Sequence, residues 1–139
     1  RRPPRSTQGV SSAASDVYKR QDYAPCEIER EEDIADLFVP NFYFGCEADD
    51  RLNATAFNTE VNPMGSRINA LFSSDIGHFD VIHMNRVLPH AWELVDDGVM
   101  DLDDFREFTF ANPARFWTSN NSDFFAGTNV EAQVAELLK

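Results

Sequence analysis

Three observations predict an α/β fold. Asn41-Phe42-Tyr43-Phe44-Gly45-Cys46 is a compact aromatic run of strand type. A second short apolar run, Ile68-Asn69-Ala70-Leu71-Phe72, passes at once into polar residues. Around them apolar residues recur at helical spacing, most clearly Met84, Val87, Leu88, Ala91, Leu94 and Val95. Strands alternating with helices imply a parallel sheet. Such strands are covered on both faces, which is why they read as short, nearly continuous apolar runs.

Residues 1–21, RRPPRSTQGVSSAASDVYKRQ, stand apart from everything that follows. Five of the twelve Lys and Arg lie there but only one of the twenty-four acids, Asp16, so the rest carries seven bases against twenty-three acids. One of the seventeen aromatics, Tyr18, falls in the segment and no apolar periodicity runs through it. It cannot bury enough apolar surface to offset its ordering entropy. An Arg- and Ser-rich transit peptide is one reading, but an amphipathic stripe is lacking. A basic nucleic-acid arm is another, but the body it joins is strongly acidic and repels phosphate. The segment also resembles the translated adapter sequence that precedes reading frames in environmental sequencing data, and this is the reading carried forward: a disordered, non-native leader.

Residues 22–139 then form one body. Glu29 to Leu37 reads as a helix, charged on one side with Ile34, Leu37 and Phe38 on the other, stopped by Pro40. The aromatic strand ends at Glu47-Ala48-Asp49-Asp50, where Asp49 or Asp50 can cap a helix running through Leu52 and Phe57. Asn62-Pro63-Met64-Gly65 is a turn. After the second strand a helix covers roughly His83 to Asp97, with Pro89 either in its first turn or kinking it and Gly98 at its end. Asp101 with Asp104 makes a capping-box-like start for a helix carrying Leu102, Phe105 and Phe108. Asn112-Pro113 reads as the cap and first position of a further short helix with Phe116 and Trp117. Two parallel strands make no stable sheet, so the body is expected to be part of a fold whose remainder lies upstream.

Composition excludes several classes. No apolar run approaches the roughly 20 residues of a membrane span. The acidic body argues against nucleic acid and anionic membranes as partners. Cys26 and Cys46 are too few for a disulfide framework and lack metal-ligand spacing, so a reduced cytoplasm is the simplest setting. Asn53-Ala54-Thr55 and Asn120-Asn121-Ser122 match the glycosylation triplet, a pattern common by chance.

The chemistry concentrates at Ser73-Ser74-Asp75-Ile76-Gly77-His78-Phe79-Asp80. Asp75 stands where a buried strand emerges, with an imidazole three residues on and a second acid two further. Sites in parallel sheets are built at such strand exits. Asp80 reads as a helix cap or a partner of His78 rather than a ligand. His83 and His90, seven apart on one helical face, read as surface or packing residues. Glu47 follows the first strand on the same side of the sheet, where it touches substrate, supports a metal shell, or belongs to a solvated acidic loop with Asp49 and Asp50. Arg67 and Arg115 suit a substrate carboxylate or an internal salt bridge.

Taken together, FYFGCEADD, NPMGSRINALFSSDIGHFDV, ELVDDG, DDFREFTFANPARFW and DFFAGTNVE resemble the C-terminal third of metal-dependent amidohydrolases. The branch is amidohydrolase-2, which includes aminocarboxymuconate-semialdehyde decarboxylase and related hydrolases, and the resemblance spans about residues 38 to 131. It implies a (β/α)8 TIM barrel of roughly 250 residues or more, with Phe42–Cys46 as strand seven, Ile68–Phe72 as strand eight and closing helices after them. It implies Asp75 as metal neighbour and general base, zinc before manganese as the metal, His78 as a further catalytic residue, and Glu47 and Arg67 toward substrate. For His78 a purely structural role stands beside the catalytic one. The implied reaction is hydrolysis or non-oxidative decarboxylation of a small carboxylic or carbonyl compound, in a parent compatible with a homo-oligomer.

One departure matters. The family takes its other metal ligands from a His-x-His pair after strand one and from histidines after strands five and six. This chain has no His-x-His, and its three histidines all come at or after position 78. The expectation is a C-terminal piece, inactive alone and with no metal bound. The rival expectation is a small acidic binding or interaction module, for calcium or a protein partner. Glu93–Asp104 superficially suggests a calcium loop, but Val95 offers no side-chain oxygen at the third position and Asp104 stands where glutamate is expected.

Overall fold

The computed structural model describes residues 24–139. The leader expected over residues 1–21 lies outside the described residues. The chain divides after Leu37 into two units. In the first, helix α1 (Glu32–Phe38) begins three residues later than expected. The Asp33 carboxylate organises its start, accepting from the Glu29 and Arg30 N–H groups at 2.9 Å each and pairing with the Arg30 guanidinium.

The second unit is α/β, with a small parallel sheet. Strands β1 (Tyr43–Glu47) and β2 (Asn69–Ser73) pair in register, Tyr43 opposite Asn69 and Glu47 opposite Ser73. A parallel pair needs a long crossover because a tight turn cannot join the strand ends. That connection contains a 3-10 stretch, Arg51–Phe57, where an α-helix was expected, with Asp50 capping it by accepting from the Leu52 N–H at 2.8 Å. The turn at Pro63–Gly65 forms with Met64 and Gly65 both at positive φ, 59° and 64°.

The helices after β2 supply its cover. A 3-10 turn, Met84–Arg86, leads into α2 (Val87–Asp96), shorter than the span expected from the periodicity, with Pro89 harmless in the first turn. Gly98, at φ 66°, ends it. The Val99 N–H reaches back to the Leu94 carbonyl and the Gly98 N–H to that of Val95, both at 2.9 Å, the paired bonds of a Schellman cap. Asp101 then caps α3 (Leu102–Arg106), accepting from the Asp104 N–H at 2.8 Å.

The chain does not restart at Asn112-Pro113 as expected. It passes from α3 through a π-helical turn, Glu107–Ala111, straight into α4 (Asn112–Asn120). A proline inside an α-helix loses one hydrogen bond and crowds the carbonyl four residues back. In the wider turn the Asn112 N–H donates instead to the Glu107 carbonyl, five residues back. Asn112 makes no cap. Its buried side chain instead donates to the Ala70 carbonyl on β2 at 3.0 Å and ties the helix to the sheet. Helix α5 (Glu131–Leu137) follows.

The core lies between β2 and these helices: Ala56, Phe57, Ala70, Leu94, Met100 and Phe108. Phe108 meets Phe72 edge to face, with ring centroids 6.0 Å apart. Of the six-residue stripe anticipated on α2 and the turn before it, only Ala91 and Leu94 are fully buried. Met84 and Leu88 are 63% and 53% exposed. Among the described residues no helix is long and apolar enough to cross a membrane.

Asn112→Ala is expected to cost about 1–3 kcal/mol, because it strands the buried Ala70 carbonyl without its donor. Urea unfolding compared with the exposed control Asn120→Ala reads this directly. Equal midpoints for the two variants would show that the amide does not hold helix to sheet.

Candidate functional site

Parallel pairing brings the C-terminal ends of β1 and β2 to the same end of the sheet, so Glu47 and the residues after Ser73 leave it together. The exit of β1 is fixed by Asn53, only 3% exposed, whose amide donates to the Glu47 carbonyl at 2.6 Å. The Glu47 side chain itself stays exposed. Burial of Asn53 also removes it as a glycosylation acceptor in the folded chain.

Beyond β2 the loop is shaped by two left-handed residues. Asp75 sits at φ 49° and Gly77 at φ 104°. Asp75 to His78 closes a turn in which the His78 N–H donates to the Asp75 carbonyl at 3.1 Å. Gly77 occupies the third position, where such a turn needs positive φ. The turn carries the His78 ring back over the strand exit. Its Nδ1 lies 2.6 Å from Asp80 Oδ1 and 3.3 Å from Asp75 Oδ2. Asp80 is thus the hydrogen-bond partner of His78. All three side chains are about half exposed, at 46% for Asp75, 52% for His78 and 49% for Asp80.

Electrostatics follow from this geometry. The Asp80 hydrogen bond, then the Asp80 and Asp75 charges, raise the His78 pKa above its ordinary value, and the same bond holds the Asp80 carboxyl low. Desolvation first, then the charges of Asp80, Asp49 and Asp75, push Glu47 upward, against a smaller opposing pull from His78.

One ligand atom from each of Asp75, His78 and Asp80 lies within 4.8 Å of the others. Bonds from such donors to a divalent ion run about 2.0–2.2 Å, so the set would have to contract to hold one. The set fits zinc or manganese by donor type. A proton on Nδ1 competes with a metal there, so the proton must leave before Nδ1 can coordinate.

The remaining candidates separate clearly. Arg67 precedes β2, at the opposite end of that strand from Asp75. Its guanidinium pairs with Asp104 at 2.6 Å, donates to the Phe57 carbonyl at 3.3 Å and covers the Phe57 ring. It therefore stands in an internal salt bridge, and the structure does not bring it to the Asp75 group. Arg115 likewise pairs with Glu107 at 2.6 Å. The calcium-loop pattern dissolves: Glu93 lies within α2, Asp97 pairs with Arg51, Asp101 caps α3 and Asp104 holds Arg67. His83 and His90, read from sequence as surface or packing residues, line one cavity with Glu47 and Asp80. Their seven-residue spacing was the available signal. What it lacked was the 3-10 turn that aims His83 toward the strand ends.

The His78 imidazole is expected to titrate above about 6.5 by NMR, and Asp80→Asn to bring it down toward that value. Because the folded-state value is raised, the contribution of the pair to loop order is complete below about 6.5. It is lost as pH rises through the folded-state pKa. An unchanged titration in Asp80→Asn would show the short contact to be without consequence in solution.

No family model, no curated protein and no solved structure matches the chain.

Proposed function

We propose that residues 38–131 are the C-terminal part of a metal-dependent amidohydrolase barrel, acting by hydrolysis or decarboxylation on a small molecule. The observation that carries the reading is the acid–imidazole–acid group at the C-terminal end of a parallel strand pair. Two features support it further. Exposed apolar residues cluster on the same loop, Ile76 at 48% and Phe79 at 87%, as expected of a surface meant to be covered. Two paired parallel strands are also what adjacent strands of a larger closed sheet look like when taken alone.

In that role Asp75 would help hold a divalent metal, zinc or manganese, which when bound would supply a water of lowered pKa and polarise the substrate. Asp75, short and fixed by the strand exit, accepts a proton from water and returns it to a leaving group. Asp80 holds the His78 ring beside Asp75 through Nδ1, so proton exchange by this ring falls to Nε2. Three half-exposed ligands hold an ion weakly, and the family's other ligands would have to come from residues upstream.

The reading is tested on the gene extended upstream. A strand followed by His-x-His, roughly 200 residues or more before Asp75, is expected from the length of such barrels. In that longer protein Asp75→Asn should lower kcat by about 10²–10⁴-fold, the usual contribution of a general base, with the protein still folded. Full activity in that variant, or a complete gene without the upstream histidines, would overturn the proposal.

A second reading, an interaction module without catalysis, draws on the exposed aromatics Phe42, Phe79, Trp92, Trp117 and Phe124. The isolated chain of a barrel enzyme should self-associate and lack activity. A chain that stays monomeric and folds cooperatively favours the interaction module.

A further inference from the structure

Beside the Asp75–His78–Asp80 group lies a cavity of about 170 Å³. That is many times the roughly 10–15 Å³ a single water needs, so it has room for a small organic molecule. Its lining divides by chemistry. Ala48, Val81 and Val87 give an apolar floor, while Glu47, Asp49, Asp80, His83 and His90 give a polar rim. Among the described residues the rim contains three carboxylates and no lysine or arginine. Glu47, Asp80, His83 and His90 come from four separate places in the fold: the end of β1, the loop after β2, the turn before α2, and α2 itself. They do not form one metal-sized group, since only Asp75, His78 and Asp80 converge that closely among the described residues.

We infer that this cavity seats a short alkyl compound bearing a primary ammonium group, with the cation on the Glu47–Asp49–Asp80 rim and the alkyl part on the valines. A carboxylate in the same place would face like charge with no lysine or arginine among the described lining residues to offset it. A divalent ion on Asp75 and Asp80 does not reverse this preference. It offsets those two acids and leaves Glu47 and Asp49 uncompensated. The ring nitrogens of His83 and His90 can add hydrogen-bond acceptors for ammonium N–H groups. Calling the occupant a substrate rests on the amidohydrolase reading, and on that reading the parent acts on an amine-bearing compound rather than a simple carboxylic acid. The binding preference itself does not depend on it.

The test is an NMR titration of the metal-free full chain, following the ring protons of His83 and His90. Propylammonium and propionate are the matched probes. Propylammonium is expected to shift both rings saturably and propionate to leave them in place. Glu47→Gln should weaken propylammonium binding roughly fivefold, the upper range for one exposed ion pair, and Asp49→Asn should do the same by a second route. Circular dichroism establishes that both variants fold. Preference for propionate, absence of a saturable shift with either probe, or unchanged binding in both variants would overturn the inference. A separate zinc titration read at His78 and in Asp75→Asn reports on the metal reading. Failure of zinc there, with propylammonium still bound, would sink the metal site and leave the cavity assignment standing.

Discussion

The constraint on which the rest depends is that β1 and β2 run parallel. Two parallel strands cannot be joined by a hairpin, so about twenty residues must travel back along the sheet before β2 can begin. That detour builds the 3-10 stretch, which in turn supplies Asn53 to the end of β1 and Phe57 to the core. The same constraint sends both strands out at one end, and so a glutamate and an aspartate leave the sheet on the same side. Had the pair been antiparallel, Glu47 and Asp75 would have left at opposite ends.

Much of the connection is held by asparagine amides acting on backbone carbonyls. Asn53 donates to Glu47, Asn112 to Ala70, Asn69 to Val39 and Phe42, and Asn62 to Thr55, Ala56 and Ser66. Irregular chain leaves carbonyls that neither a helix nor a sheet can satisfy, and a buried one is costly when unpaired. A short side chain with two N–H donors answers this locally. Ion pairs do different work. Arg67–Asp104 and Arg115–Glu107 are partly exposed, so each adds little net stability and mainly orients neighbouring elements.

What could be read from the sequence follows from which forces are local. The two strands, the Asp50 and Asp101 caps, the Gly98 stop and the turn at Pro63 are set by residues within a few positions, and each was legible to within one or two residues. Asn112 was not, because the signal that suggests a cap, an asparagine before proline, is the same whether the helix starts there or widens to pass through. The partner that decided the outcome, the Ala70 carbonyl, lies 42 residues away. The spacing on α2 located the helix but not its depth of burial: periodicity shows which residues share a face, and not how much of that face finds a partner. At the candidate site, Asp75, His78 and Glu47 were marked by their place after apolar runs. The convergence of His83 and His90 with Glu47 depends on the path of the loop between Asp75 and Val87, which no periodic pattern encodes.

The left-handed backbone at Asp75 has a consequence for how this position can vary. Most side chains pay roughly 1–2 kcal/mol to enter that region, while glycine enters freely and aspartate and asparagine are tolerated. Of these three only aspartate carries a charge. The loop geometry therefore narrows the accessible residues before any chemistry is selected. Single substitutions at this codon that keep the loop in shape lead to a neutral amide or to no side chain at all. A carboxylate at this strand exit is easy to lose without unfolding the loop, and only one of the residues the backbone tolerates restores it.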